Sequence, residues 1–372
     1  MSRIRVLVVD DSVVARMMVA DALSGDPTID VVGTAANGRI ALTQVEHLVP
    51  DLVTMDLEMP VMDGIEAVRA LRRRGDRLPI IMFTSISSQD AKTTFSALAA
   101  GATDFVTKPS SMISAAASIA RVADQLIPKI KALVPPSGSV APRTGTLGAP
   151  AAGRPSADVI HLAARPPGPA RPVRLVVIGA SMGGPMALSH ILSKIPRLPV
   201  PVVVVQHMPP LFTKQFADRL DLVCKSTVLE SAGGEETQPG HVYVAPGDHH
   251  LELRATARGA CTVLHQGPPV SFSRPSVDPL FHSAAGVFGA EVLAVVLTGM
   301  GSDGRSGSEA VVAAGGTVLA QDQATSLVWG MPGSVVKAGL AHRVLPLDEI
   351  GAAIFTAVQR SRADLASTGD AS

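Results

Sequence analysis

Aromatic side chains are scarce in this chain, at 3% of its residues, with one tryptophan and one tyrosine. A core built from such a sequence has to be aliphatic, packed from Val, Leu, Ile and Ala. Cysteine is nearly absent too. Cys224 and Cys261 stand in no metal-ligand spacing, which argues against a disulfide scaffold, fits a reducing cytosol, and leaves both as small core residues. Neither sign of charge is in excess, because 32 basic residues balance 32 acidic ones. No Lys/Arg run or aromatic-basic interleaving offers a nucleic-acid footprint, and no basic recognition helix supports a transcriptional regulator. No apolar stretch reaches membrane-spanning length, and the strand-like start at Ile4–Val9 leaves no room for a signal peptide. The expectation is a soluble, cytoplasmic protein with no direct membrane insertion.

At 372 residues the chain has room for two domains of roughly 150 residues each. Residues 134–172 mark the division: they hold nine prolines, eight alanines and five glycines, and no aromatic residue. Such a segment cannot bury a core and is expected to be a flexible, partly extended tether. Before it, apolar runs at 4–9, 51–55, 79–83 and 104–106 alternate with helical patterns near 13–23, 38–47, 63–73, 89–100 and 113–133. After it, strands are expected near 174–178, 202–206 and 292–297, with antiparallel hairpin material at 241–265. Strand-helix alternation predicts an α/β protein with doubly wound, mostly parallel sheets. The predicted division is 1–125, a helix end and linker at 126–172, a second domain at 173–360, and a polar, frayed tail at 361–372.

In an open parallel sheet, ligands sit at the carboxyl ends of the strands. Here those ends carry Asp10 and Asp11, Asp56, Thr84, and Lys108 with Pro109. Converging carboxylates repel unless a hard cation joins them, and Mg²⁺ takes such oxygen ligands. A cation there would favour attack by one carboxylate on a phosphoryl group, with Lys108 and Thr84 steadying its oxygens. Taken singly, Asp56 reads as a capping or surface aspartate; the constellation points to chemistry.

The strings Val-Val-Asp10-Asp11-Ser, Met-Asp56-Leu-Glu-Met-Pro-Val-Met-Asp-Gly64, Thr84 and Lys108-Pro109 resemble the receiver domain of two-component response regulators, a flavodoxin-like fold, over about residues 1–125. The resemblance implies that a histidine kinase phosphorylates Asp56. It also implies that Asp10, Asp11, Asp56 and the Glu58 carbonyl lie around Mg²⁺, and that Lys108 contacts the phosphoryl group. Thr84 and Phe105 match the family's switch pair, and the Lys108–Pro109 bond is expected to be cis.

The second half opens on Arg174-Leu-Val-Val-Ile-Gly-Ala-Ser181-Met-Gly-Gly184. An aliphatic run reads as a buried parallel strand. The glycines after it allow a sharp turn that holds Ser181 outward, and Pro185 suits the first turn of a helix. On this segment alone, a nucleophile and a filler serine both remain open. A serine hydroxyl needs a base oriented by a third group. Val202-Val-Val-Val-Gln-His207 puts a histidine at the end of another buried strand, where it could also be structural. Glu291-Val-Leu-Ala-Val-Val-Leu-Thr-Gly-Met-Gly-Ser-Asp303-Gly places a carboxylate beyond a third. Asp303 could equally form the turn or cap the helix that follows. Three buried parallel strands ending in Ser, His and Asp would bring those ends to one edge.

With Val-Ala-Pro-Gly247, Arg274-Pro-Ser-Val-Asp-Pro-Leu-Phe281 and Gly330-Met-Pro, these strings resemble the catalytic domain of the chemotaxis protein-glutamate methylesterase (CheB) family over about residues 173–358. That resemblance implies a Rossmann-like esterase domain in which Ser181 is the nucleophile, His207 the base and Asp303 its orienting partner. Met300 N–H and Met182 N–H are then the oxyanion-hole donors. Threonine is common in this family where Met182 stands, so any role for a hydroxyl there is lost. The implied reaction is hydrolysis of glutamate γ-methyl esters on methyl-accepting chemotaxis receptors, with no cofactor for the hydrolysis itself; some relatives also deamidate receptor glutamine. The tether holds the receiver at roughly millimolar effective concentration, so weak docking could cover the cleft until phosphorylation releases it. The rival expectation is a phosphorylation-controlled receptor-binding module without turnover. His249, His250 and Asp322 lack metal-site spacing and read as loop or groove residues.

Overall fold

The computed structural model describes residues 3–109, 114–134 and 172–369, with side chains as far as residue 359. The predicted tether at 134–172 falls almost wholly outside the described residues. Five parallel strands form the first sheet: β1 (Ile4–Val9), β2 (Ile29–Ala35), β3 (Leu52–Asp56), β4 (Ile80–Thr84) and β5 (Asp104–Thr107). Helices α1 (Val13–Ser24), α2 (Gly38–Leu48), α3 (Gly64–Arg73), α4 (Ser88–Ala100) and α5 (Ala115–Leu133) cross over between and after them. The strand order is β2-β1-β3-β4-β5, so the order reverses between β1 and β3 and opens a crevice at their carboxyl ends. Every residue of β3, β4 and β5 is buried, as expected of strands covered by helices on both faces. Strand β2 was not among the apolar runs read from the sequence. It is an edge strand, buried only at Ile29 and Ala35, with Asp30, Gly33 and Thr34 interrupting it.

The second half forms β6 (Leu175–Ala180), α6 (Gly184–Lys194), β7 (Val202–Gln206), α7 (Phe212–Val223), β8 (Thr227–Glu230), β9 (His241–Val244), β10 (His250–Thr256) and β11 (Gly259–His265). It continues with α8 (Val277–Phe288), β12 (Val292–Val296), α9 (Arg305–Ala313), β13 (Thr317–Gln321), α10 (Gly330–Lys337), β14 (Arg343–Leu345) and α11 (Leu347–Gly369). Seven of these strands make one parallel sheet in the order β14-β13-β12-β6-β7-β9-β8. Strands β6, β7 and β12 are buried throughout and adjacent, with β6 in the middle.

Two expectations need correction here. Only β10 and β11 pair as an antiparallel hairpin; β9, inside the stretch expected to be a hairpin, joins the large sheet parallel to β7 and β8. With four residues it is too short for its pairing to be read from alternation. The tail from residue 361, expected to fray, continues as α11 backbone to Gly369; Arg362, Ala363, Leu365 and Ala366 are the strong helix formers among its Ser, Asp, Thr and Gly.

Four phenylalanines meet where the halves touch. Phe95 of α4 lies 5.7 Å from Phe216 of α7, and Phe105 of β5 stacks on Phe212 at 4.7 Å between ring centroids. No described helix is long and apolar enough to cross a membrane.

Candidate active site and acidic pocket

At the carboxyl edge of the first sheet, Asp10, Asp11 and Asp56 bring carboxylate oxygens within 4.8 Å of one another. Lys108 Nζ lies 2.9 Å from both Asp10 Oδ2 and Asp56 Oδ1. Burial raises the Asp56 pKa to about 6; Lys108 opposes that rise and the charge of Asp10 adds to it. Burial would by itself lower the Lys108 pKa, but its two carboxylate partners outweigh burial and raise it. Asp10 Oδ2 is buried and, despite the ion pair, has no well-aligned hydrogen-bond donor among the described residues. Three hard oxygen donors with one such oxygen fit a divalent cation. Glu58 lies two residues past β3 with its side chain exposed. Thr84 is buried at the end of β4 and accepts a hydrogen bond from Thr94 at 3.2 Å. The Lys108–Pro109 bond, expected cis, is not; among the described residues the cis bond is Arg274–Pro275. The two isomers of an Xaa–Pro bond lie close in energy, so a dipeptide alone does not select one.

On the second sheet, the register pairs Ala180 of β6 with Gln206 of β7, so Ser181 and His207 are the next residues on neighbouring strands. His207 N–H still donates to the Ala180 carbonyl at 3.1 Å. Ser181 N–H turns the other way, to the Thr298 carbonyl beyond β12, at 3.0 Å. Gly183 then adopts a left-handed conformation (φ 77°) and starts α6, a turn that side chains rarely accommodate. Gly299 lies against the serine: a Cβ added there would sit 2.8 Å from Ser181 Cβ.

The His207 ring bonds Asp303 Oδ2 through Nε2 at 2.7 Å. An ionised carboxylate only accepts, so Nε2 carries the proton and Nδ1 is left able to accept one. Asp303 is 1% exposed. Its other donors are Gly304 N–H at 2.9 Å and three groups at the start of α8: Ser276 Oγ–H at 2.8 Å, Val277 N–H at 2.7 Å and Asp278 N–H at 3.0 Å. Burial alone would raise its pKa, but the bond from His207 and these donors outweigh burial and hold it below the ordinary value. The capping and orienting readings of Asp303 are therefore one arrangement, although the helix end it caps is that of α8 and not that of the following α9. Beside it, burial raises Asp278 to about 6, and the Asp303 charge pushes the same way.

Ser181, Met182 and His207 line one small cavity of about 90 Å³. Its opposite wall belongs to the first half and includes Asp104, Phe105, Thr107 and Lys129. Met300 is exposed in the turn beside Gly299, and Met182 is buried.

Comparison with known proteins agrees with this two-part geometry. Residues 176–354 match the CheB methylesterase family model, and residues 6–119 match that of the response regulator receiver domain. A protein-glutamate methylesterase/protein-glutamine glutaminase from Nocardioides is 54% identical over 99% of both chains. The chain belongs to the CheB methylesterase family. Relatives of the same name from Trichodesmium erythraeum and Rhodopseudomonas palustris are 39% and 41% identical, covering 95% and 94% of this chain and 99% and 92% of theirs.

Against this family background, several polar groups around Ser181 were not singled out from the sequence. Thr298 Oγ–H donates to the Met182 carbonyl at 2.9 Å, and Thr298 N–H donates to Gln321 Oε1 at 2.8 Å. Gln206 donates to the carbonyls of Ser181 and His207. Each is a polar residue at the end of a buried strand, and that is the signal that could have found them: burial there demands a partner. The other described histidines of the second half are engaged elsewhere. His250 donates to the Pro268 carbonyl at 3.1 Å, and His282 contacts Ser306 at 3.0 Å. His249 contacts the Gly247 carbonyl at 3.3 Å. Asp322 accepts from Thr325 N–H at 3.0 Å. Cys261 is buried and Cys224 half-buried, its thiol raised to about 11 by burial.

Proposed function

We propose that this chain hydrolyses glutamate γ-methyl esters on chemoreceptors and releases methanol, and that phosphorylation of Asp56 switches the activity on. His207 Nδ1 takes the Ser181 proton as Ser181 Oγ attacks the ester carbonyl, while Asp303 holds the imidazole in the required tautomer. The N–H groups of Met300 and Met182 face the developing oxyanion. Collapse of the tetrahedral adduct expels methoxide, which takes the proton from His207 and leaves as methanol. A water deprotonated by His207 then attacks the acyl-enzyme, and glutamate and free Ser181 result. With receptor glutamine, ammonia leaves in place of methanol, which matches the second activity in the relatives' names. The observation that carries this reading is the His207–Asp303 bond at the strand end next to Ser181.

In the receiver, Asp56 accepts the phosphoryl group from a histidine kinase. Asp10, Asp11, Asp56 and the Glu58 carbonyl would hold Mg²⁺, which when bound would neutralise charge on the phosphoryl oxygens. Lys108 contacts one of those oxygens and Thr84 another. Phe105, the partner of Thr84 in the switch pair, stacks on Phe212 and forms part of the wall facing Ser181. Movement of Thr84 toward the phosphoryl group draws Phe105 inward, loosening the aromatic contact and opening the cleft.

The test is methanol release from methylated receptor. Wild type should turn over, and Ser181→Ala should lose on the order of 10⁶-fold in kcat; equal rates would remove Ser181 from the mechanism.

A further inference from the structure

Gln206 ends β7 and is 2% exposed. Its Nε2 donates to the Ser181 carbonyl at 2.9 Å and to the His207 carbonyl at 3.1 Å. Both partners are acceptors, so the amide must turn its nitrogen toward them. The oxygen faces α6 instead: a Cβ added at Gly184 would lie 2.0 Å from Gln206 Oε1. The small residue at the start of α6 is therefore what makes room for this side chain.

The position matters because the backbone ladder between β6 and β7 stops here. His207 N–H to the Ala180 carbonyl is its last rung. One residue later Ser181 N–H has turned to Thr298, and β7 has run into Met208-Pro209-Pro210, where prolines supply no N–H. Beyond that rung, no main-chain hydrogen bond among the described residues joins Ser181 to His207. The two N–H groups of the Gln206 amide replace the missing rung, tying the carbonyl of one residue to that of the other.

We infer that Gln206 is a positioning residue that fixes the separation of Ser181 and His207. The inference rests on the roles proposed above for those two residues. Gln206 touches neither substrate nor the reacting atoms; it acts through the backbone of the groups that do. A displacement of about 1 Å in such a pair lowers the rate on the order of 10²-fold.

Two substitutions in the full chain test this. Gln206→Met keeps the length and removes both donors. Gln206→Glu keeps the shape and donates only when protonated, and facing two carbonyls in a buried site its carboxyl pKa is raised. Methanol release is measured per reactive serine, with sites counted by exhaustive fluorophosphonate labelling. For Gln206→Met, kcat should drop about 10- to 100-fold while KM stays within about twofold. The rate of Gln206→Glu relative to wild type should climb as pH falls from 8 to 6, and the Gln206→Met ratio should stay flat. A merely structural role changes the fraction of folded protein and produces no such pH-dependent recovery. Unchanged kcat in folded Gln206→Met overturns the inference, as does a flat Gln206→Glu ratio. Should Gln206→Met fail to fold, the Gln206→Glu ratio alone decides. If wild type itself releases no methanol, the esterase reading fails, and the rate of serine labelling in the same variants still decides the role of Gln206.

Discussion

Asp56 combines deep burial, a neighbouring carboxylate and one lysine, and its raised pKa of about 6 has a stability consequence. Between the unfolded value of 3.8 and about 6 the folded state holds the proton that the unfolded state has released. Stability from this group is therefore present below pH 4 and is lost as pH rises toward 6, by roughly 3 kcal/mol at 1.36 kcal/mol per pKa unit. Asp56→Asn in a metal chelator should stabilise the protein at pH 7 by roughly 1–3 kcal/mol, and the gain should vanish near pH 4. Urea denaturation at both pH values checks this; a gain that is the same at both would contradict it. Asp303 behaves oppositely, because its charge is wanted. Asp303→Asn should lower kcat for methanol release by about 10³–10⁴-fold through the wrong histidine tautomer. Asp303→Ala should in addition destabilise the fold by roughly 1–3 kcal/mol, since α8 loses an acceptor for its first N–H groups. Comparing the two variants in urea and in the assay separates these effects. Asp56 and His207 at strand ends, and Asp303 beyond one, were singled out from the sequence as candidates because each follows an aliphatic run. Gln206, Thr298 and Gln321 were not, because a buried amide or hydroxyl declares its role only through partners distant in sequence.

At the scale of elements, β6, β7 and β12 set the site by register alone: adjacent, parallel and buried, they end in Ser181, His207 and, seven residues beyond β12, Asp303. Their aliphatic character made them readable within a residue or two. The edge strand β2 and the short interior strand β9 were harder. Strand β2 is interrupted by polar residues, and β9 depends on partners that precede it in the chain, so local alternation misassigned it. The tight join between β6 and α6 yields its own prediction. Gly184→Ala would place a methyl where Gln206 Oε1 lies and 2.8 Å from Ala180 Cβ. It should push the amide off Ser181 and His207 and reproduce the kcat loss of Gln206→Met. Full activity in a folded Gly184→Ala protein would mean that the amide has room to spare.

For the whole molecule, the proposed mechanism makes the contact between the halves the link from phosphorylation to catalysis. Asp104, Phe105, Thr107 and Lys129 of the first half line the same cavity as Ser181 and His207, so under the proposed function they would stand in the way of a receptor glutamate. The fragment 141–372 should hydrolyse methyl ester faster than the unphosphorylated full chain, at a rate that no phosphodonor changes. Phe212→Ala, which removes the ring stacked on Phe105, should raise basal turnover in the same direction. A fragment no faster than the intact, unphosphorylated protein would argue against inhibition by docking.

All of this depends on Ser181, His207 and Asp303 working as one relay. The most direct measurement is the site and rate of fluorophosphonate labelling, followed by peptide mass analysis, in wild type and in His207→Ala. The relay predicts a label on Ser181 in wild type and its near-complete loss in the variant. A label that lands on another serine, or one on Ser181 that forms as fast without His207, would contradict it.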